Sequence, residues 1–177
     1  AIVTWTDYRQ IVESNIYAQR VSAPGVPQWT PDGVALCTEV SNQDSPTIVS
    51  DGVGGAIVTW VDSRAGAADD IYAQRVSAAG VPQWTPDGVG LCTEVSNQDS
   101  PTIVSDGVGG AIVTWSDLRA PTGVDIYAQR VSAAGTPLWT PDGVGLCTDA
   151  SEQRFPTSVS DGAGGAIVTS YDLRGGT

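Results

Sequence analysis

The stretch Pro46-Thr47-Ile48-Val49-Ser50-Asp51-Gly52-Val53-Gly54-Gly55-Ala56-Ile57-Val58-Thr59-Trp60-Val61-Asp62 decides the fold. A short apolar run, Pro46 to Asp51, leads into a glycine-rich hairpin connection. A second run follows, Ala56 to Asp62. Ile57, Thr59 and Val61 lie on one of its faces, and Ala56, Val58 and Trp60 on the other. Both faces are largely apolar, so this strand is expected to be covered on both sides.

Working outward, the same text returns. Ala-Ile-Val-Thr begins at Ala1, Ala56, Ala111 and Ala166, and Ile-Tyr-Ala-Gln-Arg at Ile16, Ile71 and Ile126. Trp-Thr-Pro-Asp-Gly begins at Trp29, Trp84 and Trp139, and Leu-Cys-Thr at Leu36, Leu91 and Leu146. Every spacing is 55, so the 177 residues are three periods, phased at 1–55, 56–110 and 111–165, with 166–177 repeating the opening strand. Helix signals are poor, because glycine, proline, valine and threonine abound and no stripe recurs every 3.6 residues. Two more strands complete the unit: Asp70 to Ala78, and one between Val81 and Thr93 with a turn at Pro86-Asp87-Gly88. The prolines suit an outer edge. Four strands per 55 residues predict an all-β propeller of four-stranded antiparallel blades, three blades per chain.

The run Trp60-Val61-Asp62-Ser63-Arg64, followed by Asp70-Ile71-Tyr72-Ala73-Gln74-Arg75, has copies at 5–20 and 115–130. It resembles the secreted bacterial propeller repeats related to sialidase-type blades. The resemblance implies a propeller at the cell surface or outside the cell. The Asp-box Ser-x-Asp-x-Gly-x-Thr-Trp is absent. The arginine triad and tyrosine–glutamate pair of sialidases cannot be mapped onto this chain residue by residue.

Composition excludes several chemistries. Twenty acids against eight bases give a net charge of −12, which disfavours nucleic acid as a partner. There is no histidine and no lysine, so imidazole acid–base chemistry, Schiff-base lysine and a Walker-type phosphate loop are absent. No apolar run reaches the roughly 18 to 20 residues of a membrane span, so no membrane insertion is expected. Ala1 stands where an initiator methionine would, which reads as a mature fragment or a domain cut from something longer.

The candidate binding residues are the repeated Asp-x-Arg pairs Asp7/Arg9, Asp62/Arg64 and Asp117/Arg119, with Asp172/Arg174 as a fourth copy. Placed two apart, they are expected on one strand face, as a ring of arginines for an anion or as charge-assisted ties within and between blades. The structural role is favoured, since active sites break repeat symmetry. The second arginine position, Arg20, Arg75 and Arg130, is expected to bond protein carboxylates or carbonyls. The Asp-Gly turns at Asp51, Asp106 and Asp161 lack the spaced acids of a calcium loop, and neither metal nor cofactor is expected. The adjacent acids Asp69-Asp70, the kind of pair a glycosidase uses, have the counterparts Ser14-Asn15 and Val124-Asp125, so the position tolerates a neutral residue. Cys37, Cys92 and Cys147 occupy one position per unit, too far apart for disulfides, and are expected buried and reduced. Trp29, Trp84 and Trp139 are expected to pack against the fourth strand rather than stack on sugars.

The expected function is therefore non-catalytic: a scaffold or binding module for a carbohydrate or protein ligand. The alternative is a glycoside hydrolase or lectin of sialidase-like propeller type. Three units cannot close a ring that needs roughly four to eight blades, so a six-bladed homodimer is expected. In it, the spare first strand at 156–161 completes the partner's first blade. The duplicate strand at 166–172 is then expected to be peripheral or poorly ordered, because Trp5 matches the repeat and Ser170 does not.

Overall fold

The computed structural model describes residues 1–10, 12–66, 68–119 and 123–174. Parts of the loop that varies between units, at 11, 67 and 120–122, lie outside them. Among the described residues, thirteen strands form four antiparallel sheets. The first sheet holds β1 (Ile2–Asp7), β2 (Asn15–Arg20) and β3 (Val34–Cys37). The second holds β4 (Gln43–Ser50), β5 (Ala56–Asp62), β6 (Asp70–Val76) and β7 (Val89–Cys92). The third repeats this order with β8 (Gln98–Ser105), β9 (Ala111–Asp117), β10 (Asp125–Val131) and β11 (Val144–Cys147). The last is a pair, β12 (Gln153–Ser160) with β13 (Ala166–Asp172).

Each sheet is a propeller blade, two of them complete. The first lacks its inner strand, and the last has only its two inner strands. β4, β8 and β12 lie beside one another as inner strands, and β3, β7 and β11 lie outermost. The outer strand is shorter than expected. Only Val89–Cys92 is strand, while Pro82 touches Val76 as an isolated bridge. Proline lacks the N–H a longer ladder would need. Asp87 and Gly88 turn the chain with φ of 59° and 90°.

The core lies between blades, not within them. One cluster joins Ile16, Ala18 and Leu36 of the first blade to Val58, Trp60 and Val76 of the second. The other joins Ile57, Ile71 and Leu91 of the second to Val113, Trp115 and Val131 of the third. Alternation along β5 thus serves two interfaces, which is why all its residues are buried.

Among the described residues no closed sheet forms, and the end faces are open. At the end of the third blade, Trp139 is 37% and Leu146 47% exposed. In the single chain β13 is an ordered strand, paired with β12 from Gln153↔Asp172 to Ser160↔Ala166. Its outer face stays bare, with Ile167 59% exposed against 0% for Ile57.

Candidate functional site

Asp62 ends β5, and Arg64 lies beyond it in the turn, so the pair does not share a strand face as expected. The chain folds back instead. Asp62 Oδ1 accepts the Arg64 backbone N–H at 3.0 Å and Nε at 2.8 Å. Oδ2 accepts Arg64 Nη2 at 2.6 Å and the Trp60 indole N–H at 2.8 Å. Arg64 Nη2 also donates to the Asp87 carbonyl at 2.8 Å, and the guanidinium lies 3.9 Å from the Tyr72 ring centroid. The Cys37 thiol of the preceding blade reaches Asp62 Oδ2 at 3.8 Å. Asp117, Arg119, Trp115, Tyr127 and Cys92 repeat the arrangement.

Asp7 and Arg9 repeat it on the open first blade, with Trp5, Tyr17 and the Asp32 carbonyl. The Arg9 guanidinium holds the Asp7 carboxyl well below the usual carboxylate range, against the opposing effect of burial. Asp172 and Arg174 pair at the other end, more exposed. The six candidate residues are therefore not brought together. They form one clasp per blade, whose hydrogen bonds go to the protein itself.

The second arginine makes a tie between blades. Asp51 Oδ1 accepts the N–H groups of Val53 and Gly55 at the hairpin, and Oδ2 accepts Arg75 Nε and Nη2 at 3.1 and 2.9 Å. Burial pushes the Asp51 carboxyl up, but the Val53 N–H, Arg75 and the Gly55 N–H outweigh it, and the group lies below its ordinary value. Both oxygens are spoken for by protein donors, which leaves this turn a poor calcium ligand. Among the described residues no group of three or more acids and cysteines is placed to hold a metal. Arg75 Nη1 and the Trp84 indole N–H converge on the Ala133 carbonyl of the next blade, each at 3.1 Å. Arg20 and Trp29 do the same on Ala78, at 3.0 and 3.2 Å. These tryptophans, singled out in the sequence as sugar platforms or packing residues, are half-buried and tie blade to blade. Arg20 and Arg130 make such bonds, to a carbonyl and a carboxylate respectively, yet are not wholly covered. Arg20 borders a shallow cleft between the first strand and the β4–β5 hairpin, and Arg130 one between the Asp106 and Asp161 hairpin turns.

All three cysteines carry free thiols; Cys37 and Cys92 are buried and Cys147 is half-buried. Burial pushes the Cys37 and Cys92 thiols up to about 12, so they stay protonated and unreactive.

Sequence reading missed one cluster. Asp70 pairs across the sheet with Asp62, as Asp125 does with Asp117, and both are buried. Burial first, and the Asp62 charge second, push the Asp70 carboxyl up to about 6. The signal was the alignment of Asn15 with Asp70, a neutral residue where two blades carry an acid. In the unfolded chain this carboxyl titrates near its ordinary value, about 3.9. The fold therefore holds the extra proton between these values, and stability falls as pH rises from about 4 to about 6. Asp70→Asn, the residue of the first blade, should remove that fall and gain up to about 3 kcal/mol at pH 7.5. Urea titrations of both chains at pH 4.5 and 7.5 check it. An equal difference at both pH values would show that the Asp70 charge is not strained.

No protein-family model matches this chain, and no curated protein sequence matches it. Among solved structures, it is similar to an endo-arabinase from Bacteroides thetaiotaomicron VPI-5482. The match has a TM-score of 0.54 at 17% identity and covers 97% of this chain and 69% of that one. At that identity the likeness bears on the fold alone, which is the all-β, bladed fold. Nothing among these matches supports the sialidase relation that the Trp60–Arg75 motif suggested.

Proposed function

We propose that this chain is a non-catalytic propeller module, a scaffold or binding unit whose open ring is completed by a second copy as a six-bladed homodimer. One observation carries the reading. The side chains able to do chemistry, Asp62 with Arg64 and Asp51 with Arg75, are engaged by the protein in the same way in blade after blade. A catalytic centre needs one asymmetric constellation open to substrate. The only adjacent acids, Asp69 and Asp70, do not supply it. Asp69 accepts the Ser63 hydroxyl at 2.6 Å, and Asp70 is buried against Asp62.

A second reading is a carbohydrate-active propeller, favoured by the fold likeness to an endo-arabinase. Incubation with arabinan and with sialyl-oligosaccharides, beside a glycan array, separates the two. The first reading expects no new reducing ends or released sialic acid. Turnover that survives purification to constant specific activity would establish the second. Light scattering tests closure, with an expected mass of twice 18.2 kDa.

A further inference from the structure

The arginine contacts within blades and the tryptophan contacts between them recur with fixed offsets, and at the two ends of the chain each is left half-made. Arg75 meets Asp51 and Arg130 meets Asp106, both at 2.9 Å. Arg20 is the third such arginine, and among the described residues no carboxylate meets it. Asp161 is the third such aspartate at a complete hairpin. Its Oδ1 caps the turn through the N–H groups of Ala163 and Gly165, at 2.7 and 2.9 Å, and among the described residues no arginine meets its Oδ2.

The tryptophans follow the same rule. Gly80 is so close beneath Trp29 that a Cβ would sit 2.8 Å from the ring, and Gly135 likewise at 2.6 Å from Trp84. A Cβ on Gly25, the equivalent glycine of the first blade, would meet nothing within 4 Å, while Trp139 at the far end is 37% exposed. The missing half of each contact stands on the opposite end of the molecule.

The strand slot shows the same complementarity. Among the described residues β1 has no inner neighbour in its sheet, and one edge is unpaired. β13 holds the place on β12 that β5 holds on β4, in the same register, but without the aromatic wedge. Where Trp60 and Trp115 are fully buried wedges bonded to Asp62 and Asp117, β13 has Ser170. An apolar cleft of about 220 Å³ remains between β13 and the third blade, lined by Ile112, Ala128, Trp139, Leu146 and Val168. β1 carries the missing wedge as Trp5, already bonded to Asp7 at 2.9 Å.

We propose that the two end faces dock on each other in a pair of chains. Arg20 of each copy meets Asp161 of the other, Trp139 seats over Gly25, and β1 displaces the resident β13 from β12. The partner is thus a second copy of this chain, and β13 is a built-in competitor that sets how readily the ring closes. This rests on the closure proposed above and assigns its register.

The test is the monomer–dimer midpoint, read by mass photometry and light scattering over a dilution series of the full chain. Asp161→Asn keeps a turn-capping oxygen and removes the charge; it and Arg20→Gln should each raise the midpoint by roughly tenfold. Ser170→Trp, which restores the wedge to the resident strand, should also raise it. Val168→Asp, which loosens that strand from the cleft, should lower it. Asp51→Asn, the same change at an interior contact, should reduce thermal stability without comparable loss of assembly. If the chain dimerises but Asp161→Asn and Arg20→Gln leave the midpoint unmoved, this register is wrong although closure stands. If Ser170→Trp and Val168→Asp leave it unmoved, β13 is no competitor. A wild-type chain that stays at 18.2 kDa at about 100 μM, far above a micromolar affinity, overturns closure and register together.

Discussion

Asp62→Ala should cost about 3 to 5 kcal/mol, the loss expected when one partner of a buried ion pair is removed. The size follows from what the carboxylate holds. Its side chain is fully buried and that of Arg64 only 18% exposed, so the orphaned guanidinium keeps little water. The Trp60 indole N–H and the Arg64 backbone N–H lose their acceptor in the same step. The repeats supply internal controls. Asp7→Ala should cost less, because Arg9 is 40% exposed on the open blade and can turn to solvent. Asp172→Ala should cost least, because both partners are most accessible there. Urea unfolding of the three variants gives the order directly. Equal stabilities, together with loss of an anionic ligand in Asp62→Ala, would restore the reading of these arginines as a binding ring.

The sequence made the strand order visible because the repeat is uninterrupted and the doubly apolar strand can only lie between two layers. Ile57 and Trp60 point to opposite faces, and each face has its own core. The Asp-x-Arg geometry was not legible from spacing. Two residues apart means one face only while the strand continues, and Asp62 is its last residue. The inter-blade partners were hidden for a different reason. Cys37 meets Asp62 across 25 positions, and Trp29 meets the Ala78 carbonyl across 49. A perfect repeat says which positions are equivalent but not which of them touch. The acidic strain at Asp70 needed both burial and the cross-strand register with Asp62, neither of which a pattern of letters carries.

Gly88→Ala should destabilise the fold by about 2 to 4 kcal/mol, adding a left-handed backbone penalty to overpacking. The residue has φ of 90°, and an added Cβ would stand 2.6 Å from Trp60 Cη2 and 2.8 Å from the Ala73 carbonyl oxygen. Neither neighbour can yield. Trp60 is fully buried between two blades with its N–H bonded to Asp62, and Ala73 sits within β6. Gly52→Ala separates the two costs. Its φ is 79°, but nothing lies within 4 Å of the new methyl, so it should lose only the backbone penalty, about 1 kcal/mol. The excess in Gly88→Ala then belongs to the tryptophan. Trp60→Phe, whose shorter ring vacates the place of Cη2, should cost stability alone yet lessen the effect of Gly88→Ala. The double-mutant cycle should therefore show favourable coupling of at least about 1 kcal/mol. Additive losses would mean that the glycine is required by its turn alone, and that the wedge between blades tolerates a methyl group beneath it.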